Sequence, residues 1–259
     1  MSQIIPTAEP FFLPGKGAAS RIGCLVTHGF TGAPKEMRWM GEYLNHQGYN
    51  VCGMRLPGHA TKPKDMIRSR LQDWLLCVED GYNLLQACSE QVYLLGLSMG
   101  GALSLVSASR LPVRGVVAMS TPYKIMNFPM RQIARLITWL IPFVPKGGGK
   151  PGADWFDQEA FNQHVSYPQN PSRSAIELDL LVGMMRASLP LVKVPVLLIH
   201  SRNDDYVFRG SMEHIHAALG STDKQMLWVE GAGHVITEEP TKEAVFKAAF
   251  DFISRVSAV

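Results

Sequence analysis

Ser98 stands at the centre of the segment Gly96-Leu97-Ser98-Met99-Gly100-Gly101, which carries a G-x-S-x-G pattern. A continuous apolar run from Val92 to Leu95 precedes the pattern, and a helical pattern follows the serine at once. In this context the pattern predicts a nucleophile elbow, a tight strand-to-helix turn that presents the serine hydroxyl at the edge of a sheet. The flanking glycines leave space where the strand and the helix approach each other closely. The alternative interpretation is a serine in an ordinary glycine-rich turn.

A serine hydroxyl becomes a good nucleophile only beside a general base, which an acid must orient. In this architecture the order along the chain is serine, acid, histidine. His234 follows an apolar run and a glycine-rich turn, and Asp204 and Asp205 follow the preceding apolar run. We therefore expect His234 to remove the Ser98 proton while Asp204 holds the imidazole. The alternative is that Asp204 caps a turn and Asp205 orients the base.

An oxyanion hole is the remaining requirement, and it needs two backbone N–H groups that face the tetrahedral intermediate. The residue after the nucleophile, Met99, supplies one of them by its position in the chain. The loop Thr27–Gly32 follows the first apolar run, and its glycines allow the backbone to approach a ligand. We expect the Phe30 N–H to be the second donor.

Other histidines fit the base role less well, because they precede Ser98, lie within helices or the inserted region, or end a strand. His214 and His216 are two positions apart and cannot share one helix face, so no metal site is predicted there. The predicted reaction needs neither a metal ion nor an organic cofactor.

Predicted strands and helices, which must position these residues, alternate strictly along the chain. Short apolar runs that are continuous, as in strands covered on both faces, predict a parallel sheet; they are Gly23–Thr27, Asn50–Met54, Val92–Leu95, Val116–Met119, Val196–Ile199 and Met226–Val229. Helical patterns lie between them, over Pro34–Gln47, Trp74–Ala87, Met99–Arg110, Ser211–Leu219 and Lys242–Val256. The alternation predicts an α/β fold with a mostly parallel sheet and helices on both faces. The loops after the strands, which carry the chemistry, then share one edge of the sheet.

One interval, between Ser120 and Val194, breaks the alternation and has no strand pattern. It is too long for a loop in a compact domain, and helical patterns over Met130–Ile141 and Ser174–Leu189 predict an inserted helical cap. We expect one domain, residues 1–259, with a core of residues 1–122 and 194–259 and a cap of residues 123–193.

Apolar side chains at helical spacing in the cap predict the substrate class. We expect them to line a pocket for an acyl chain, and they are Ile133, Leu136, Ile137 and Leu140. Phe143 and Val144 are expected to extend the apolar surface around this helix. The alternative is that the same face packs on the core.

Composition limits the class of protein. The chain has 259 residues, 46% of them hydrophobic, and 25 Lys and Arg against 22 Asp and Glu, a net charge of +3. The apolar fraction excludes a disordered chain, and the absence of a basic cluster argues against nucleic acid as a partner. No apolar run is long enough for stable membrane insertion, and the N-terminus has no signal-peptide pattern. The four cysteines show no C-x-x-C spacing, and we expect a cytoplasmic protein.

The motifs together resemble those of the serine α/β hydrolases, and more closely those of the small bacterial carboxylesterases and monoacylglycerol lipases. The matching segments are His28-Gly29-Phe30-Thr31-Gly32, Arg55-Leu56-Pro57-Gly58-His59, Gly96 to Gly101, Asn203-Asp204 and Gly233-His234-Val235-Ile236-Thr237. Ala60 stands where the family's R-L-x-G-H-G turn has its last glycine. The resemblance covers the whole chain and implies hydrolysis of a small apolar ester through an acyl-enzyme.

Two other classes of function fit the same motifs. A C–C bond or thioester hydrolase would use the same triad, and some proteins of this fold are non-enzymatic receptors for small molecules. The serine at position 98 argues against epoxide hydrolases and haloalkane dehalogenases, which carry an aspartate there.

Overall fold

The computed structural model describes residues 3–125, 138, 140–146, 152 and 154–258. Its strands are β1 (Phe11–Leu13), β2 (Ile22–Thr27), β3 (Asn50–Met54), β4 (Gln91–Leu97), β5 (Gly115–Met119), β6 (Phe143–Pro145), β7 (Gln169–Pro171), β8 (Val196–Ser201) and β9 (Lys224–Val229). Each strand predicted from an apolar run lies within an observed strand. The predicted positions of these six strands are therefore confirmed.

The helices are α1 (Arg38–His46), α2 (Pro63–Met66), α3 (Leu71–Gln86), α4 (Met99–Ala108), α5 (Gln158–Gln163), α6 (Ser172–Ser188), α7 (Ser211–Ala218) and α8 (Lys242–Ser257). Short 3₁₀ turns cover Gly17–Arg21, Pro34–Met37 and Leu189–Leu191. The pattern predicted over Pro34–Gln47 thus divides into a 3₁₀ turn and α1. Pro34 begins the turn, where its missing N–H costs no hydrogen bond.

Among the described residues, the main sheet has seven strands in the order β1-β3-β2-β4-β5-β8-β9. All neighbouring strands are parallel except β1, which pairs antiparallel with β3 at one edge. Helices cover both faces of this sheet, so the predicted fold class is confirmed. Because strands β2, β4, β8 and β9 run in one direction, the loops that follow them meet at one edge.

Among the described residues, two large apolar layers form most of the core, one on each face of the sheet. Val92 and Leu94 of β4 pack with α3, α4, α6 and α7, whereas Tyr93 and Leu95 pack with α1 and α8. Successive side chains of a strand point to opposite faces, so a strand with both faces covered needs apolar residues at every position. This requirement explains the continuous runs in the sequence.

The interval between β5 and β8 has structure of its own. Helix α6 packs Leu181, Val182 and Met185 into the same apolar layer as α4. Strands β6 and β7 form an antiparallel pair in which Phe143 faces Pro171. The expectation that Phe143 and Val144 extend a helical surface was therefore wrong, because both lie in an extended strand. Nearly all of the predicted helix over Met130–Ile141 lies outside the described residues.

None of the helices in the described ranges combines the length and the apolar character needed to cross a bilayer.

Candidate active site

Ser98 occupies a sharp turn between β4 and α4. Its backbone has φ 55° and ψ −115°, a conformation that costs energy for any residue with a side chain. The turn is held in part by the Ser98 N–H, which donates to the Met119 carbonyl oxygen at 2.7 Å. A Cβ atom at Gly100 would overlap the Thr27 carbonyl group, and one at Gly96 would overlap the backbone at Gly100. Both glycines are therefore required by close backbone approach.

Asp204 and His234 form a direct hydrogen-bonded pair. His234 Nδ1 and Asp204 Oδ2 are 2.8 Å apart. The other carboxylate oxygen, Oδ1, accepts the Tyr206 N–H at 2.8 Å and the Val207 N–H at 3.3 Å. Asp204 is 5% exposed, whereas the exposed Asp205 pairs with Arg209 at 2.9 Å. The structure thus brings Asp204, and not Asp205, to the imidazole.

Electrostatics favour the charged forms of this pair. Burial alone would lower the pKa of His234, but the charge and hydrogen bond of Asp204 raise it above the ordinary value. Burial alone would raise the pKa of Asp204, but the charge of His234 and the hydrogen bonds from His234 and Tyr206 lower it. The imidazole is therefore a stronger base than a free histidine, and Asp204 stays ionised beside it.

The two loops that carry Ser98 and His234 follow β4 and β9 at the same edge of the sheet. The hydrogen bonds within the described residues include none from Ser98 Oγ, so the structure does not join Ser98 to His234 directly. Such bonds are commonly long without a substrate and shorten in the substrate complex. On its other side, the His234 ring stacks on the Tyr206 ring, with centroids 5.0 Å apart.

The two amides predicted to bind an oxyanion belong to residues close to Ser98: Met99 follows it in the chain, and Phe30 follows Gly29, which lies beside it. A Cβ atom at Gly29 would lie 3.5 Å from Ser98 Cβ, so the loop that carries Phe30 passes directly beside Ser98. Met99 is the first residue of α4, where backbone N–H groups lack helical partners. Within the described ranges, neither the Phe30 N–H nor the Met99 N–H donates a hydrogen bond.

Two buried histidines near the site have structural partners instead. His28 Nε2 accepts the Leu56 N–H at 3.1 Å, and His200 Nε2 accepts the Thr121 N–H at 3.0 Å. Burial lowers the pKa of each to about 4. Both rings are therefore neutral near pH 7 and hold loops at the site edge.

Four residues beside the loops that carry Phe30 and His234 were not predicted from the sequence: the buried Glu36, Glu238 and Glu239 and the partly buried His164. Glu36 Oε2 accepts the Gly29 N–H at 2.7 Å, and Glu239 Oε1 accepts the Gly233 N–H at 2.9 Å. Burial raises the pKa of both carboxyl groups. A glutamate in a helical or polar segment gives no sequence signal that distinguishes it from a solvated one.

Of the residues predicted to line an acyl pocket, Ile133, Leu136 and Ile137 lie outside the described residues. Leu140 is 71% exposed. In the part of the chain that the structure describes, no three His, Cys, Asp or Glu side chains are arranged to hold a metal ion.

Comparison with known proteins matches this chain to hydrolases. A family model described as serine aminopeptidase, S33, matches residues 18–241. A thermostable monoacylglycerol lipase of Bacillus sp. (strain H-257) is 29% identical over 260 residues, which cover 97% of this chain and 96% of the relative. A carboxylesterase of Bacillus subtilis (strain 168) is 26% identical over 253 residues, which cover 97% of this chain and 98% of the relative.

A similar solved structure is that of a lipolytic enzyme derived from a metagenome, one of the two described as LipS and LipT. It superposes with a TM-score of 0.87 and 32% sequence identity, and the match covers 98% of this chain and 100% of that chain. Similarity over the whole length includes the interval between β5 and β8.

Proposed function

The chain belongs to the serine aminopeptidase S33 family of α/β hydrolases, and on this premise we propose that it hydrolyses carboxylic esters through an acyl-enzyme on Ser98. The observation that carries the proposal is the Asp204–His234 pair, at 2.8 Å, on the same sheet edge as the strained turn of Ser98. The similarity to a monoacylglycerol lipase and a carboxylesterase supports esters as the substrate class.

The first step forms the acyl-enzyme. His234 Nε2 takes the proton of the Ser98 hydroxyl as Oγ attacks the ester carbonyl carbon. The charge that develops on the carbonyl oxygen is stabilised by the N–H groups of Phe30 and Met99. The imidazolium, stabilised by Asp204, then gives its proton to the departing alkoxide, and the alcohol leaves.

The second step releases the acid. His234 removes a proton from water, which attacks the acyl carbon through a second oxyanion at the same two amides. The proton on His234 returns to Ser98 Oγ as the acyl bond breaks. Asp204 does not take a proton at any point. Its role is to fix the tautomer with Nδ1 protonated and to stabilise the positive charge.

We propose that the acyl chain lies against the apolar face of the insertion, which contains Ile133, Leu136, Ile137 and Leu140. Leu140 supports this proposal because such a large exposed apolar side chain stands on a segment between β5 and β8. The division into a core of residues 1–122 and 194–259 and a cap of residues 123–193 belongs to the same proposal.

We also propose a cytoplasmic location. The four cysteines are all free thiols, as a reducing compartment would keep them. Burial raises the pKa of Cys52 to about 11, so this thiol stays protonated and unreactive.

Hydrolysis of a series of p-nitrophenyl esters by the wild type and by Ser98→Ala tests the proposed reaction. We expect Ser98→Ala to lose turnover and to lose labelling by an organophosphonate, with the label in the wild type located on Ser98 by mass spectrometry. Ser109→Ala, which removes a hydroxyl at the far end of α4, is the matched control and should behave as the wild type. Full activity in Ser98→Ala would refute the mechanism. Tight ligand binding without any turnover would instead support a receptor.

A further inference from the structure

Each of the two catalytic loops is held by a buried glutamate in the same way. Glu36 accepts the N–H of Gly29, the residue before Phe30, and Glu239 accepts the N–H of Gly233, the residue before His234. The bonds are 2.7 and 2.9 Å long. In each loop, therefore, one carboxylate fixes the peptide group that precedes a group used in the reaction.

The loop that carries Phe30 wraps closely around the Glu36 carboxylate. Glu36 is 4% exposed, and a Cβ atom at Gly32 would overlap its carboxylate. The loop is closed by the Gly32 N–H, which donates to the Gly29 carbonyl oxygen at 3.3 Å. Because Gly29 also lies against Ser98, a shift of the Glu36 side chain would move the Phe30 amide relative to the nucleophile.

One segment of the insertion, residues 155–167, contacts both glutamates, and we name it the docking segment. Glu239 Oε2 accepts the N–H groups of Phe156 and Asp157 at 3.1 and 3.2 Å. His164 Nε2 lies 3.7 Å from Glu36 Oε1, and His164 Nδ1 lies 2.7 Å from Glu238 Oε2. The docking segment therefore joins the Phe30 loop to the His234 loop.

Two further bonds tie the docking segment to the Phe30 loop and the turn after it. The Tyr167 N–H donates to the Thr31 carbonyl oxygen at 3.0 Å. The Lys35 ammonium group donates to the Gln163 carbonyl oxygen at 2.6 Å. Buried carboxylates are costly unless hydrogen bonds satisfy them. Backbone amides bond Glu36 and Glu239, and His164 bonds Glu238.

We propose that Glu36 and Glu239 are paired positioning residues that align the Phe30 amide and the His234 ring, and that the docking segment holds both in place. This inference rests on the proposed function for its catalytic consequence. Neither glutamate touches the reacting atoms, so each acts through the glycine it binds. Packing of the docking segment against the two loops therefore aligns the Phe30 amide and the His234 ring at the same time.

Shortening each side chain by one methylene tests the proposal without removing its charge. In Glu36→Asp and Glu239→Asp the carboxylate no longer reaches the glycine N–H. We expect kcat to fall about tenfold to a hundredfold with KM changed by less than about threefold, because complete loss of an oxyanion donor costs about 10²–10³ in kcat. Glu36→Gln keeps an acceptor of the original length and should restore most of the rate. Glu79→Ala, an exposed glutamate on α3, is the control and should match the wild type.

Amide hydrogen exchange measured by NMR gives a readout that does not depend on ester turnover. We expect exchange at Gly29, whose N–H Glu36 accepts, to rise about tenfold or more in Glu36→Asp, while amides of β5 stay unchanged. In Glu239→Asp, exchange should rise at Gly233 and at Phe156 and Asp157 together. If the wild type hydrolyses no ester, the proposed function fails, and the exchange data alone decide the positioning role.

The results that would overturn the proposal are specific. Folded aspartate variants with wild-type kcat and wild-type exchange at both glycines would refute it. The double variant of His164→Ala and Glu36→Asp tests the coupling through the docking segment, because residues that act as one unit give non-additive losses. If its loss of kcat, as a free energy, equals the sum of the two single losses, the coupling is refuted.

Discussion

Replacement of Asp204 by asparagine tests the candidate site most directly, because the bonds around this residue dictate the outcome. Oδ1 accepts two backbone N–H groups, from Tyr206 and Val207, and only Oδ2 faces His234. In Asp204→Asn the amide oxygen must keep the two backbone donors, which turns the amide NH₂ group toward His234. The imidazole must then accept at Nδ1 and carry its proton on Nε2. A ring in this tautomer cannot take the proton of Ser98.

We expect kcat to fall about 10⁴-fold, equivalent to about 5 kcal/mol of transition-state stabilisation, with KM nearly unchanged. The assay is steady-state hydrolysis of p-nitrophenyl butyrate across the pH range. Asp205→Asn is the matched control, since Asp205 contacts Arg209 at the surface, and its kcat should stay within about twofold of the wild type.

The pH profile gives a second, independent result. The raised pKa of His234 means that the wild-type rate falls as the pH drops through a value above the ordinary pKa of 6.5. Loss of the Asp204 charge lowers this pKa, so the acid limb of the residual activity should move to lower pH. A variant that keeps more than about a tenth of the wild-type kcat, or an unmoved acid limb, would refute the assignment of Asp204.

Three further predictions concern stability and specificity. Burial lowers the pKa of His200 from 6.5 to about 4 in the folded protein. Between these two pH values the unfolded chain takes up a proton that the folded protein does not, so the contribution of His200 to stability is lost as the pH falls. The free energy of unfolding, measured with urea, should decrease between pH 7.5 and pH 5 by about 2 kcal/mol less in His200→Gln than in the wild type. The same decrease in both proteins would contradict the burial argument. Gly100→Ala places a methyl group on the Thr27 carbonyl, and we expect about 3 kcal/mol of destabilisation by thermal unfolding; an unchanged Tm would show that the backbones can separate. Leu140→Asn should lower kcat/KM for octanoate roughly tenfold while sparing acetate. Leu84→Asn, at an exposed leucine on α3 of the core, should spare both. Equal losses on both esters in Leu140→Asn would argue against an acyl pocket on the insertion.

The sheet was predictable because burial on both faces leaves a strong trace in the sequence. Every strand from β2 to β5, and β8 and β9, was found from a continuous apolar run. Strand β1 was missed because three residues, Phe11–Leu13, are too few to show any period and lie at an antiparallel edge. The same limit explains the error at Phe143 and Val144, whose apolar character fits a helix and a short strand equally well.

The loops that carry Ser98, Asp204 and His234 were predictable because the expected chemistry restricts residue type and order around the strand ends. The side chains that hold these loops were not. Glu36 lies in a 3₁₀ turn, and His164 and Glu239 lie far from it along the chain. They meet only through tertiary packing, and a buried glutamate looks like a surface glutamate in sequence. Tyr206 was missed for the same reason, since its contact with His234 depends on the path of a loop.

The order of strands in the sheet has a consequence for how the protein folds. Strands β1 to β5 find their partners within the first 119 residues, but β5 must pair with β8 across the insertion, as Val116 does with Val196. Closing so long a loop is entropically costly and slow compared with local pairing. The turn at Ser98 belongs to the early half of the sheet, whereas Asp204 and His234 arrive only with β8 and β9. During refolding, the return of hydrolytic activity therefore follows the slowest long-range pairing and reports completion of the whole sheet.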